Sequence, residues 1–443
     1  MQIPRNRSRI LTALILSLGT LLLLSGNALA VPPGLNAQAE QELRDAGVDK
    51  YLGQFTPSSS IDVGDGWTGH IFDPNYTPDE SYPSGFRPDG PVCIAGTEYS
   101  VYTKQGDPKK LLIFLQGGGA CWQGLNRCNI LAEAQAPGAD SDFAGKLGVF
   151  DSSQPDNPFA DHSMVYMPYC DGSTFGGDND VVDANFPFAG VRHHRGLRNV
   201  SAGMDVAAEM FPRAKQITVM GHSAGGVGVA SFAPFLARFS FGNRTKLTVF
   251  NDAGPIAVNL GTPAPPPFFC ADLACFSALA RANDWQFQQF YPQSCIDAGL
   301  CNAFGQQTGI IHWRLQNDST IREAFYETDA DETNRFFAQG DGVSLMDPEV
   351  YRELILTEHG ALNDAFPRRY KRFIVSDDNT HGGVQGTAGS SCFEDQPFLF
   401  YTQEANGELL SNWTTEFIRI GARQSQFGWK DIVEDYVELD CTP

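Results

Sequence analysis

From Leu111 onward the chain alternates short β-branched or apolar runs with amphipathic stretches. That rhythm restricts the fold to βαβ units laid into a parallel sheet. The runs at residues 110–115, 164–167, 216–220, 246–250, 309–315 and 372–375 predict strands, and periodic segments at 202–211, 227–239 and 348–359 predict helices. Four of these strands lead directly into loops that carry chemistry-bearing residues. In open α/β sheets sites form outside the carboxyl ends of the strands, so this convergence is what an active site requires. The expected fold class is α/β, with a mostly parallel central sheet flanked by helices. Residues 261–301, with a Pro-rich start and Cys270, Cys275, Cys295 and Cys301, interrupt the alternation. They predict a lid or wall inserted into a single domain spanning 31–443. Residues 31–99 are rich in turn formers and are expected to wrap the core.

The first thirty residues carry Arg5, Arg7 and Arg9, an apolar run from Ile10 to Leu24, and the small-residue ending Ala28-Leu29-Ala30. This is the pattern of an export signal, too short in its apolar part to span a bilayer, with cleavage expected after Ala30. The mature protein is thus expected to be secreted or periplasmic, without a membrane anchor. In that setting thiols oxidise, and all ten cysteines lie downstream of the signal. Cys121 with Cys128, Cys270 with Cys275 and Cys295 with Cys301 are near in the chain and are candidate pairs. Their spacings do not suit zinc, and Asp171 to Asp180 departs from a calcium-loop pattern, so no metal is expected. Loss of the signal removes three arginines and no acid, moving the net charge from −21 to −24. Such a surface repels polyanions, which argues against nucleic acid as a partner and against a heavily ionised polysaccharide at low salt.

The predicted strand 216–220 runs into Gly221-His222-Ser223-Ala224-Gly225, followed by Gly226 and a predicted helix. A Gly-x-Ser-x-Gly turn between a strand and a helix forces its serine into a strained, exposed conformation, with the helix N-terminus beside it. Ser223 is therefore the candidate nucleophile. A tetrahedral oxyanion also needs donors, and the predicted strand 110–115 delivers Gln116-Gly117-Gly118-Gly119-Ala120-Cys121-Trp122 at the matching end. Three glycines let bare backbone approach a substrate carbonyl, and the amide of Ala224 would complete the hole. A phosphate-binding loop is the competing reading, but no Lys-Ser/Thr follows the glycines and no GxGxxG spacing exists. A bridge from Cys121 to Cys128 would brace the loop.

Leu115 to Cys121 (LQGGGAC) followed by Gly221 to Gly228 (GHSAGGVG) resembles the pectin acetylesterase and Notum family of secreted serine α/β-hydrolases. The resemblance extends loosely from about Tyr99 to Tyr436 and takes in Tyr169-Cys170-Asp171-Gly172 and His194-Arg195-Gly196. Gln116 and Ala120 stand where plant members usually carry Glu and Trp. The resemblance implies an α/β-hydrolase-like fold and oxyanion-hole amides at Gly119, Ala120 and Ala224.

In this fold the triad order is Ser, acid, His, and only His312, His359 and His381 follow Ser223. His312 falls inside a predicted strand and His359 at a helix end, whereas His381 follows the strand 372–375 in a turn-rich loop. His381 is the expected base. For the acid, Asp377 and Asp378 lie near His381 in sequence, while Asp318 follows the predicted strand 309–315 and would approach from another loop. The second geometry suits a triad better, and the family resemblance agrees, so Asp318 is chosen over Asp378. Asp252 is read as a structural residue at a sheet end. His193, His194 and Arg195 fit either a carbohydrate-lining cluster or an internally satisfied one.

These residues predict a serine carboxylesterase working through an acyl-enzyme, with no cofactor and as a monomer. The resemblance suggests O-acetyl esters on a polysaccharide, or a fatty-acyl ester in the Notum branch. A hydrolase-like carbohydrate-binding protein without turnover is the alternative from another class, and amide hydrolysis shares the same triad.

Overall fold

The computed structural model describes residues 34–74, 90–123, 147–184, 186, 190–255, 273–302, 307–339, 344–376, 381–384, 399–419 and 428–436. The expected export signal, Cys128, Cys270, Asp377 and Asp378 lie outside the described residues.

One sheet of ten strands organises the chain. In chain order these are β1 (Ser59–Gly64), β2 (Trp67–Phe72), β3 (Tyr99–Lys104), β4 (Asp107–Leu115), β5 (His162–Met167), β6 (Gln216–His222), β7 (Lys246–Asp252), β8 (Arg322–Thr328), β9 (Tyr370–Val375) and β10 (Ile432–Val433). Their order in the sheet is β1-β2-β3-β5-β4-β6-β7-β8-β9-β10. β1, β2 and β3 pair antiparallel, and β3 meets β5 antiparallel. From β5 across to β10 every pairing is parallel. The α/β class and the mostly parallel sheet expected from the alternation are therefore present.

The strand residues divide by parity, as a two-residue period demands. Leu111, Ile113, Leu115, Ile217, Val219, Leu247 and Val249 belong to one buried cluster with Leu197, Val200 and Met204 of the helix Gly196–Met210 and with Phe235 and Leu236 of the helix Ala233–Phe241. Leu112, Phe114, Met220 and Phe250 belong to a second, with Trp413 and Phe417 of the helix Leu410–Arg419. Both faces are covered, so the central strands read as continuous apolar runs. Each such side chain contributes about 1.5–3 kcal/mol by leaving water.

One element departs from the sequence reading. Residues 309–315 are not a strand: they form the interior of the helix Gln307–Asn317, with Ile310, Ile311 and Leu315 buried. A short apolar run has no periodicity that separates a core strand from a buried helix. The strand of this unit is β8, which begins four residues after Asp318.

The parallel register puts five carboxyl ends on one edge. Leu115 pairs with Gly221, His222 with Asp252, Asp252 with Tyr326, and Thr328 with Val375. The loops that follow β4, β6, β7, β8 and β9 thus open on the same side of the sheet. Residues 273–302 are largely helical, with Leu273–Trp285 followed by the 3₁₀ turn Phe287–Phe290 and the short helix Gln293–Asp297.

Candidate active site

Ser223 follows β6 directly and caps the helix Ala224–Ala230 with φ 53° and ψ −117°. A non-glycine residue there is strained, and such strain persists only where the surroundings over-determine it. The flanking glycines show what those surroundings are. A Cβ at Gly221 would lie 2.2 Å from the carbonyl oxygen of Gly225, and one at Gly225 would lie 2.0 Å from that of Leu115. The elbow is therefore pressed against itself and against the end of β4. Ser223 N–H donates to the Asp252 carbonyl at 2.8 Å, which fixes the turn to β7.

The loop after β4 reaches the same place. Gly119 adopts φ +89°, a left-handed conformation that glycine takes without strain. Gly119, Ala120, Ser223 and Ala224 together line one cleft enclosing about 480 Å³ of open space. Ala224 is the first residue of its helix, so its N–H has no acceptor within that helix and points along the positive end of the dipole. Trp122, Thr174, Val227, Arg281, Trp285, Asn334 and Phe337 form the walls.

The wall helix Leu273–Trp285 also braces the loop. Trp285 Nε1 donates to the Cys121 carbonyl at 2.7 Å, and Gln123 N–H donates to Asp284 Oδ2 at 2.7 Å. Cys121 N–H donates to the Gly172 carbonyl, and Cys121 is disulfide-bonded. Its expected partner Cys128 lies outside the described residues. Cys295 pairs with Cys301, as the spacing suggested, and Cys93 pairs with Cys170 over 77 residues, which spacing alone did not reveal.

His381 stands beyond the end of β9, with its ring 4.9 Å from that of His222, the residue before Ser223. Its Nδ1 is 2.7 Å from Asp331 Oδ2. The loop is held by Asp252, whose carboxylate accepts Gly383 N–H at 2.9 Å and Val384 N–H at 3.0 Å while also meeting His222 Nδ1 at 3.2 Å. Burial alone would lower the His381 pKa, but the charges of Asp331 and Asp252 outweigh it and raise the imidazole above its ordinary value.

The expectation that Asp318 meets His381 is corrected here. Asp318 is 1% exposed and accepts from Arg238 Nε at 2.6 Å and Nη2 at 3.2 Å, and from the backbone of Thr320 and Ile321. It precedes β8, whereas His381 follows the end of β9. Six strand steps at about 3.3 Å each put roughly 20 Å of sheet between those two edges. The carboxylate that meets His381 is Asp331, three residues past the end of β8. It caps the helix Glu332–Gln339, accepting Asn334 N–H at Oδ1 over 2.8 Å, while Oδ2 meets His381 Nδ1 and accepts Asn334 Nδ2 at 3.0 Å. The Asp-x-x-Asn before an amphipathic stretch was the available signal, and it was hidden because β8 itself was not read as a strand.

The other histidines after Ser223 have different surroundings. His359 is buried, stacked 3.7 Å from Phe325, with Nδ1 against the Tyr370 hydroxyl. His312 lies in the helix Gln307–Asn317 against Phe366. His194 is fully buried, donating from Nδ1 to the Asp171 carbonyl and accepting at Nε2 from Arg192, and burial with the neighbouring Arg192 charge holds its pKa down to about 3. Arg195 pairs with both oxygens of Asp180, which also meets His193. The cluster His193, His194 and Arg195 is internally satisfied and is not among the cleft residues. Among the described residues no group of three or more His, Cys, Asp or Glu is arranged to hold a metal ion.

A strand, a strained serine, a helix and a glycine-rich loop at the carboxyl edge of a parallel sheet define the architecture shared by α/β serine hydrolases. Residues 86–257, which contain both glycine-rich motifs, match the family described as Pectinacetylesterase. Pectin acetylesterase 11 of Arabidopsis thaliana is 27% identical over 146 residues, 31% of this chain and 35% of that protein. Palmitoleoyl-protein carboxylesterase notum1a of Danio rerio is 28% identical over 144 residues, 31% of this chain and 28% of that protein. Palmitoleoyl-protein carboxylesterase NOTUM of Schmidtea mediterranea is 29% identical over 147 residues, 31% and 27% of the two chains. The matched segment thus spans no more than 35% of the length of these relatives. Among solved structures, the Wnt deacylase Notum from Drosophila covers 74% of this chain and 89% of its own, at 16% identity and a TM-score of 0.49.

Proposed function

We propose that the chain is an extracytoplasmic carboxylic ester hydrolase in which Ser223 is the nucleophile, His381 the general base and Asp331 the acid that orients it. The observation that carries this reading is the strained Ser223 in a cleft lined by Gly119, Ala120 and Ala224. In the first half-reaction Ser223 Oγ attacks the ester carbonyl carbon, its proton passes to His381 Nε2, and the alcohol leaves carrying that proton. Water then attacks the acyl-serine, and its proton returns through His381 to Ser223 Oγ as the acid departs. Amides of Gly119, Ala120 and Ala224 hold the oxyanion in both steps, each donor contributing about 2.7–4 kcal/mol. Asp331 keeps the Nδ1 proton of His381 in place, so that Nε2 faces the serine as an acceptor.

The substrate we infer is an O-acetyl ester on a polysaccharide of low charge. Two features support it. The match of residues 86–257 includes the elbow and the loop of the hole, and the formal net charge of −21 disfavours a strongly ionised polymer. The aromatic walls Trp122, Trp285 and Phe337 favour a second reading, in which a longer acyl chain occupies the cleft. Two disulfides in the described residues suit an oxidising compartment.

The discriminating experiment measures p-nitrophenyl acetate, butyrate and longer esters with the wild-type protein and a Ser223→Ala variant. Turnover that falls with chain length supports the acetyl reading, and turnover that rises with it supports the fatty-acyl one. Equal rates for wild type and variant sink the nucleophile assignment, and saccharide binding without any turnover makes the chain a binding protein.

A further inference from the structure

Behind Asp331 lies a second carboxyl group that the acyl-transfer scheme does not use. Glu327, near the end of β8, is completely buried. Its Oε1 accepts Thr328 N–H at 2.9 Å, and its Oε2 accepts the Tyr351 hydroxyl and Asn334 Nδ2, each at 3.1 Å. The same Asn334 Nδ2 also donates to Asp331 Oδ2 at 3.0 Å, so one amide bridges the two carboxyl groups and holds them side by side. Among the described residues no arginine or lysine pairs with Glu327.

Two carboxyl groups sharing one buried site do not both ionise, so one of them keeps its proton. Asp331 has the imidazole of His381 as a partner for its charge, and it caps a helix whose dipole favours an anion. Glu327 is completely buried and has no cationic partner among the described residues. Resting on the functional reading above, we propose that Glu327 is a positioning residue held as the neutral acid. Its carboxyl proton is donated to Asp331, which fixes that carboxylate and, through it, the His381 ring. Burial and the adjacent Asp331 charge both push the Glu327 carboxyl well above the usual carboxylate range, in the same direction. The groups facing this pair are Tyr351 from the helix Pro348–Ala365, Asn334 from the helix Glu332–Gln339, His381 from the loop after β9, and Asp252 from β7 acting on His381. Tyr351 stays a phenol, raised well above its ordinary value by burial and by the two carboxyl groups.

The isosteric variant Glu327→Gln keeps a neutral donor toward Asp331, whereas Glu327→Ala removes it. Three readouts separate the outcomes. In the infrared spectrum of the wild type at neutral pH a protonated-carboxyl stretch is expected that the Gln variant lacks. In an NMR titration the His381 pKa is expected to stay in place in Glu327→Gln and to rise in Glu327→Ala, where Asp331 loses a donor. In ester turnover, Glu327→Ala is expected to lower kcat by about 10–100-fold, the equivalent of a hydrogen bond to a charged group, and Gln to recover most of that loss. A His381 pKa that falls in the Gln variant would mean that a negative charge had been removed, and it would overturn the neutral-acid assignment, as would absence of the infrared band. Full kcat in Glu327→Ala would overturn the positioning role. The infrared and NMR arms read Glu327 whether or not Ser223→Ala abolishes turnover, so failure of the esterase reading is seen separately.

Discussion

The loop after β6 and the loop after β8 both place a side chain at the same edge of the sheet, but they are built from opposite materials. The elbow at Ser223 is made of backbone. Gly221 and Gly225 are required by carbonyls 2.2 Å and 2.0 Å from where a Cβ would stand, and those contacts come from the turn itself and from β4. The loop at Asp331 is held by polar side chains: Glu327 and Asn334 from close by in sequence, Tyr351 from the helix Pro348–Ala365 and His381 from the loop after β9. A site part specified by local backbone geometry leaves its mark in five consecutive residues. One specified by convergence leaves a mark only once the strands are correctly placed.

The largest effects should come from the elbow. Ser223→Ala is expected to lower kcat by about 10⁴-fold or more, since no other group supplies the nucleophile. Burst kinetics with a p-nitrophenyl ester measure it, and a retained burst would remove the elbow from the chemistry.

Asp331→Asn and Asp318→Asn then test the other side of the comparison directly. With Asp331 replaced by an amide, the His381 tautomer is no longer secured, and kcat is expected to fall by about 10³–10⁴-fold with the fold intact. Asp318→Asn should do the reverse. It leaves Arg238 buried without its carboxylate, which costs about 3–5 kcal/mol of stability, while kcat of the folded fraction changes little. Denaturant unfolding and active-site-normalised rates separate the two, and an inversion of the pattern would return the acid to Asp318.

The same contrast explains what was legible. The parallel sheet, the elbow and the hole loop all follow from short-range signals, and the structure gathers Ser223, Gly119, Ala120 and Ala224 in one cleft. The strand β8 was not legible because Arg322, Glu323 and Glu327 break its apolar pattern. Each of these is buried and relies on partners outside its own strand: Arg322 on the Phe417 carbonyl, Glu323 on Arg314, and Glu327 on Tyr351 and Asn334. The apolar run 309–315 carries the stronger strand pattern in sequence, so Asp318, which follows it, stands where an acid past a strand end is expected, one element ahead of Asp331. Cys93 with Cys170 was hidden for the same reason, since its closeness depends on how the segments before β3 and after β5 meet.

A pH profile gives a smaller and sharper test. A base must be neutral to accept the serine proton, and Asp331 and Asp252 raise His381 above its ordinary value. The acid limb of kcat/KM is therefore expected above the value of about 6.5 for a free imidazole. In Asp331→Asn the residual activity should show that limb moved to lower pH. Stability follows the opposite course. The His381 and Asp331 pair contributes fully below the unfolded pKa of histidine, and that contribution is lost as pH rises through the raised folded value. A limb below that of free imidazole would mean that burial outweighs the two carboxylates.

The smallest expected effect lies where the two kinds of construction meet. The hole loop is backbone, yet a side chain from the wall helix holds it, through Trp285 Nε1 donating to the Cys121 carbonyl at 2.7 Å. Trp285→Phe keeps most of the ring contact with Trp122 and removes that donor. A neutral hydrogen bond of this sort contributes about 0.5–1.5 kcal/mol, so kcat is expected to fall by about twofold to tenfold. The loss should appear in kcat more than in KM, because hole donors act on the charge that develops in the transition state. If KM rises and kcat stays unchanged, Trp285 serves as a substrate wall only, and the glycine-rich loop holds its shape through backbone contacts such as Cys121 N–H to the Gly172 carbonyl.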